Sequence, residues 1–220
     1  MTNETVKCNF DRGRRFDVDV MDDLETAGLA FGRLSAQFIR DKVVPELDAF
    51  RFASYCGISG VTKKEETLAD GAATVAALRA AVTAMDDEEV TATWRYLFIT
   101  PTLLQGINDM DTTKSKKVLE GFEQVIKVPQ RRFYTAIKQL SGKTGEEAGG
   151  YTKAAGAANI NFAIVQKDAL IQYTKHAAPK IIAPENNPDA DAYVFGYRMV
   201  GIAKAYKNML SGMYFSHDKA

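Results

Sequence analysis

Asp22-Asp23-Leu24-Glu25-Thr26-Ala27-Gly28-Leu29-Ala30-Phe31-Gly32-Arg33-Leu34-Ser35-Ala36-Gln37-Phe38-Ile39-Arg40-Asp41-Lys42-Val43 is the stretch that decides how this chain folds. Leu24, Ala27, Phe31, Leu34 and Phe38 recur at steps of three and four, which places them on one stripe of an α-helix. Arg33, Gln37, Arg40 and Asp41 take the opposite face. Asp22, with Glu25 three residues on, is a variant of the capping box and marks the start. Pro45 disfavours helical geometry at Val44, so the spacing predicts a stop near Val43. Such a helix is about 20 residues long, or roughly 30 Å at the standard rise. Gly28 and Gly32 each weaken it by up to about 1 kcal/mol relative to alanine, so the stripe must pack on something that offsets this cost.

Upstream, Phe16, Val18 and Val20 alternate with charged residues and predict a strand with one wet face. Downstream, Glu46–Tyr55 reads as a short helical piece, and Gly57 and Gly60 as a domain boundary. Thr67–Met85 is a helix capped by Thr67 with Asp70, striped by Leu68, Ala72, Val75, Leu78 and Val82. Trp94–Thr100 and Glu123–Val128 are strands, Pro101 opens a short helix through Leu104, and Arg131–Lys138 is a helical turn. Ser141–Ala158 is rich in glycine, alanine and threonine and predicts a mobile loop. Ile160–Gln166 is a strand, Asp168 caps a helix over Leu170–His176, and Lys180–Ala183 is extended. Pro184–Asp191 is a turn-rich crossing. Two extended runs, Tyr193–Tyr206 and Met209–Ser216, close the chain. This mixed order of strands and helices is α+β.

The chain has 220 residues, 46% of them hydrophobic, and its 28 basic and 28 acidic residues cancel. A protein that neutralises many phosphates carries a basic surplus. The balance therefore argues against dedicated, sequence-specific nucleic-acid binding and suits a chain that meets copies of itself. No apolar run reaches the roughly 18 residues of a membrane span, and no signal peptide opens the chain. Cys8 and Cys56 stand in no metal-ligand spacing and read as free thiols.

Residues able to do chemistry fall into no working pattern. Gly142-Lys143-Thr144 resembles the end of a phosphate-binding loop, but that motif needs a glycine where Ile137 stands. His176 and His217 lack partners at zinc spacing; His176 reads as a helix C-terminal residue and His217 as part of a solvated tail. Asp86-Asp87-Glu88-Glu89 lacks the alternation and central glycine of a calcium loop and reads as a solvated turn. Asp109 and Asp111 read the same way. The sequence thus points to no catalytic, cofactor or metal site, and to a structural rather than a catalytic chain. Arg12, Arg14 and Arg15 form a small basic knot with two readings, a solvated strand end or an anchor to an acidic neighbouring subunit.

Four segments, in order, resemble the Hong Kong 97-fold major capsid proteins of tailed phages and prophages. They are Asp11 to Asp22 followed by Glu25-Thr26; Val43 to Phe52; Ile160 to Val165 with a helix carrying Lys175 and then Lys180 to Pro184; and Tyr197-Arg198 through Lys207-Asn208 to Gly212-Met213-Tyr214. The resemblance implies a capsid fold with a long spine helix in a peripheral domain and a separate axial domain. Residues 1–20 would be the returning strand of an extended loop, and 21–57 the peripheral domain with the spine helix. Residues 58–185 would be the axial domain, and 186–220 the return to the peripheral sheet. Family members open with an N-terminal arm and the outgoing half of that loop, whereas here Met1 stands almost at the returning half, so the chain reads as lacking both. The resemblance further implies a subunit of a virion shell made in the host cytoplasm. Its partners would be copies of itself in hexamers and pentamers, together with scaffold and portal proteins, and Arg12, Arg14 and Arg15 would lie at the subunit interface. The alternatives are an encapsulin-type nanocompartment subunit, which would enclose a cargo enzyme, and, further off, a small-molecule enzyme.

Overall fold

A computed structural model describes residues 5–21, 30–110 and 113–219. In chain order, β1 (Phe10–Asp19) is followed by α1 (Ala30–Phe38), a π turn (Ile39–Val43) and α2 (Val44–Cys56). Asp22, Leu24, Glu25, Ala27 and Gly28 lie outside the described residues. Helical geometry is already present at Val20 and Met21, where the Asp19 carboxylate accepts the Met21 N–H at 2.8 Å.

Pro45 does not stop the helix. Its ring would collide with the carbonyl four residues back and it has no N–H to donate. The π turn resolves both problems by widening the spiral one turn earlier. Val44 donates to the Ile39 carbonyl, five residues back, and stays helical at φ −62°, ψ −48°.

The chain forms two compact units, Met1–Pro45 with Gln172–Ala203, and Glu46–Ile171 with Lys204–Ala220. Gly57 and Gly60, expected as the boundary, lie inside the second. The closing residues divide between the two, since Tyr193–Ala203 belongs to the first unit and the final strand to the second.

In the first unit β1 pairs antiparallel with β9 (Ala192–Ala205), from Phe10↔Gly201 to Asp19↔Ala192. The sheet order is β1-β9-β8, with β8 at Leu170–Ile182. The predicted alternation of β1 holds, with Phe10 and Val18 buried. The Phe16 ring lies 5.5 Å from Phe38 of α1 and 5.0 Å from Phe195 of β9. The helix thus rests on the sheet through Phe38, as its stripe requires. Leu34, one turn earlier on that stripe, is 45% exposed. A contact made by one ring trio covers only about one 5.4 Å turn of helix.

β8 corrects the helix predicted over Leu170–His176. Asp168 caps nothing there. Gln166 instead takes the Asp168 and Ala169 N–H groups at 2.7 and 3.2 Å in a single 3₁₀ turn, and Leu170 leaves it extended. Ile171, Tyr173 and Thr174 then suit a strand beside β9. His176 consequently lies mid-strand and exposed.

The second unit is built on a five-stranded sheet in the order β2-β10-β7-β3-β4. These are β2 (Thr62–Glu65), β3 (Arg95–Ile99), β4 (Gln124–Lys127), β7 (Ile160–Gln166) and β10 (Met213–His217). β7 is buried at every position, which explains its unbroken apolar run. Helices α3 (Gly71–Asp87), α4 (Pro101–Asn108) and α5 (Thr113–Glu120) accompany it. Leu78, Leu97, Ile107, Phe162 and Ile164 share the core with Tyr214. α3 starts later than predicted because the Asp70 carboxylate, not Thr67, accepts the Ala73 N–H, at 2.7 Å. A carboxylate is favoured there over a hydroxyl by the helix dipole.

The predicted turn over Arg131–Lys138 shrinks to a 3₁₀ turn at Gln130–Arg132. β5 (Ile137–Gln139) then pairs with β6 (Tyr151–Lys153), which gives the Ser141–Ala158 segment a hairpin at its root. His217 ends β10 rather than a solvated tail, half-buried, with Nδ1 2.8 Å from the Asp218 carbonyl. Both thiols are free, Cys8 exposed and Cys56 buried. Burial pushes the Cys56 thiol pKa up.

Candidate subunit interface

Arg12, Arg14 and Arg15 all lie on β1, opposite Met199, Tyr197 and Gly196. A strand turns successive side chains to opposite faces. Arg12 and Arg14 therefore share the face of Phe10, Phe16 and Val18, while Arg15 shares the other with Asp11 and Asp17. Three neighbours in sequence become two plus one in space. Arg15 reaches Asp17 at 3.4 Å and Asp189 at 3.8 Å, both between well-exposed groups. Such pairs contribute about 0–1 kcal/mol.

Asp11 and Arg198 join two strands through a two-pronged contact, with Nε to Oδ1 at 2.9 Å and the second prong at 2.6 Å. This bonding to Arg198 holds the Asp11 carboxyl below its ordinary pKa. Asn9 extends the ladder by a different route. Its side-chain Nδ2 donates to the Ala203 carbonyl and its Oδ1 accepts the Ala203 N–H, both at 2.9 Å. Among the described residues, no strand pairs with the other edge of β1.

The residues tested for chemistry are scattered. Lys143 sits on an exposed turn closed by the Glu146 N–H to its carbonyl at 2.8 Å, with no helix following. Glu146 is held by Lys138 at 2.6 Å and by the Ser141 N–H at 2.7 Å, which push its carboxyl pKa down to about 2. Among the described residues no group of His, Cys, Asp and Glu is placed to hold a metal ion.

One feature at the Asp86–Glu89 run escaped the sequence. Arg95 is 2% exposed and binds Asp86 at 2.7 Å, the Thr91 carbonyl at 3.1 Å and the Val90 carbonyl. Around this staple Glu89 and Trp94 adopt φ of +57° and +59°. Left-handed backbone at a residue other than glycine is costly and persists only where the surroundings enforce it.

No family model and no curated protein matches the sequence. Solved structures do match, along nearly the whole chain. A protein of Mycobacterium phage Che8 matches with TM-score 0.62 at 10% identity, over 98% of this chain and 76% of that one. The capsid of the cyanophage P-SCSP1u matches with TM-score 0.57 at 14% identity, over 100% and 78%. The fold is that of a phage capsid protein. A virus-like particle from Pyrococcus furiosus shares it, with TM-score 0.62 at 9% identity, over 94% and 75%. This capsid fold is α+β, as the element order required. At such identities it is shared without shared sequence, and the function must be argued from the surfaces it carries.

Proposed function

We propose that this chain is the structural subunit of a phage or prophage icosahedral shell, and that its work is self-association rather than catalysis. The observation that carries this is the capsid fold followed along almost the entire chain by phage structures. Identical copies making head-to-tail contacts close into rings where the rotation allows. Each contact can be weak, because many act together. On this reading the first unit supplies the peripheral part of the subunit and the second the axial part. Arg12 and Arg14 on one face of β1, and Arg15 on the other, meet acidic groups of neighbouring subunits. Scaffold and portal proteins are the expected further partners, and the assembled virion is the expected location.

A nanocompartment shell around a cargo protein is the second reading, favoured by the similarity to the Pyrococcus furiosus particle. Genes for portal and terminase beside this one support the phage shell, whereas a cargo gene supports the compartment. Sedimentation and electron microscopy of the purified chain test the shared claim. Rings or shells are expected, and a chain that stays monomeric at all concentrations contradicts it.

A further inference from the structure

We infer that Trp94 is a contact point between copies, seated against the basic corner formed by Lys127 and Arg131 of the next subunit. This rests on the shell-subunit reading above. Trp94 immediately precedes β3 and is 47% exposed. Exposed tryptophan is uncommon on a surface that has no partner and is enriched at the centres of interfaces. The loop that presents it is also fixed. The buried Arg95 guanidinium ties the loop to Asp86 and to two loop carbonyls, and the Glu123 N–H donates to the Arg95 carbonyl at 2.8 Å. Lys167 covers one side of the indole, its Nζ 5.5 Å from the ring centre. A pre-ordered aromatic anchor loses little freedom on binding.

The sheet decides what the anchor can meet. β3 and β4 run parallel, from Tyr96↔Gln124 to Ile99↔Lys127. Trp94 therefore stands at one end of these strands. Lys127 and the Gln130–Arg132 turn stand at the other, about 16 Å away at the usual strand rise. The Trp94 end carries the exposed carboxylates of Asp87, Glu88 and Glu123. At the far end Lys127 and Arg131 are exposed, and the Arg131 backbone is steadied by the Tyr151 hydroxyl, which donates to its carbonyl at 2.8 Å. The two ends are complementary in charge and lie on opposite sides of the same strands. They cannot meet within one chain, but they can meet between copies head to tail. An arginine over an indole face adds cation–π attraction to the charge match.

The test uses the full chain, in which Trp94 is the one tryptophan. Its emission is followed with sedimentation as concentration rises. Emission should shift to the blue as copies associate, and added salt should reverse both changes. D87K/E88K and K127E/R131E should each raise the concentration for half-assembly by about tenfold. A chain carrying all four changes should return close to the original value. Melting curves confirm that each variant is folded, since none touches the Asp86–Arg95 pair. Assembled material whose Trp94 emission is unshifted, or a four-change chain no better than its parents, overturns this contact and leaves the shell reading standing. A chain that remains monomeric throughout overturns both.

Discussion

β7 and β8 are separated in the chain only by a 3₁₀ turn, yet they are opposites. All seven residues of β7 are buried, and none of the thirteen of β8 is. One strand takes its stability from apolar burial on both faces, at about 25 cal/mol per Å² removed from water. The other can take little from that source and is held by its ladder to β9. The second unit is therefore a cored body, while the first buries a thinner layer of Phe10, Val18, Val194, Phe195 and Met199, with the half-buried Phe16 and Phe38 rings packed beside it.

Truncating the buried strand should sharpen this contrast most. Phe162 on β7 is fully buried and stacks with Tyr214 at 6.2 Å. Phe162→Ala should cost about 4 kcal/mol in urea unfolding followed by Trp94 fluorescence. A loss below about 1 kcal/mol would mean that the core closes over the gap. Overfilling the same unit comes next. A Cβ on Gly71 would collide with the Gly106 carbonyl, so α3 and α4 must part in Gly71→Ala. About 2–3 kcal/mol is expected, with a lower melting temperature.

In the first unit, Phe16→Ala removes the middle ring of the trio. About 1–2 kcal/mol should be lost, read by circular dichroism. An effect as large as that at Phe162 would break the contrast. Smallest of all should be Tyr173→Ser on β8, where the ring is 61% exposed. Its unfolding should stay within about 0.5 kcal/mol of the parent. A larger shift would show that β8 is covered when the isolated chain is in solution.

The same contrast explains what the residues revealed. β7 announces itself by its apolar run and β1 by its alternation, because burial imposes those patterns. β8 feels no such pressure. Leu170, Tyr173 and Ala177 happen to fall at helical spacing, and only pairing with β9, the next strand of the chain, makes the segment a strand. Pro45 disfavours helix at Val44 by a local rule, and the π turn, which has no mark in the sequence, circumvents it. Adjacency in sequence groups the three arginines, whereas a strand sorts its residues by parity. The left-handed Glu89 and Trp94 have no mark in the sequence, since their geometry is imposed by an arginine that folding buries.

Asn9 replaces a peptide unit with a carboxamide: one side chain supplies both the giving and the receiving half of a rung against Ala203. An aspartate there could only receive, a leucine could do neither, and a lysine could only give. The chemistry demanded at position 9 is consequently narrower than its exposed place before the strand would imply, and conversion of that amide to an acid would unfasten one half of the rung while leaving the backbone of β1 itself untouched.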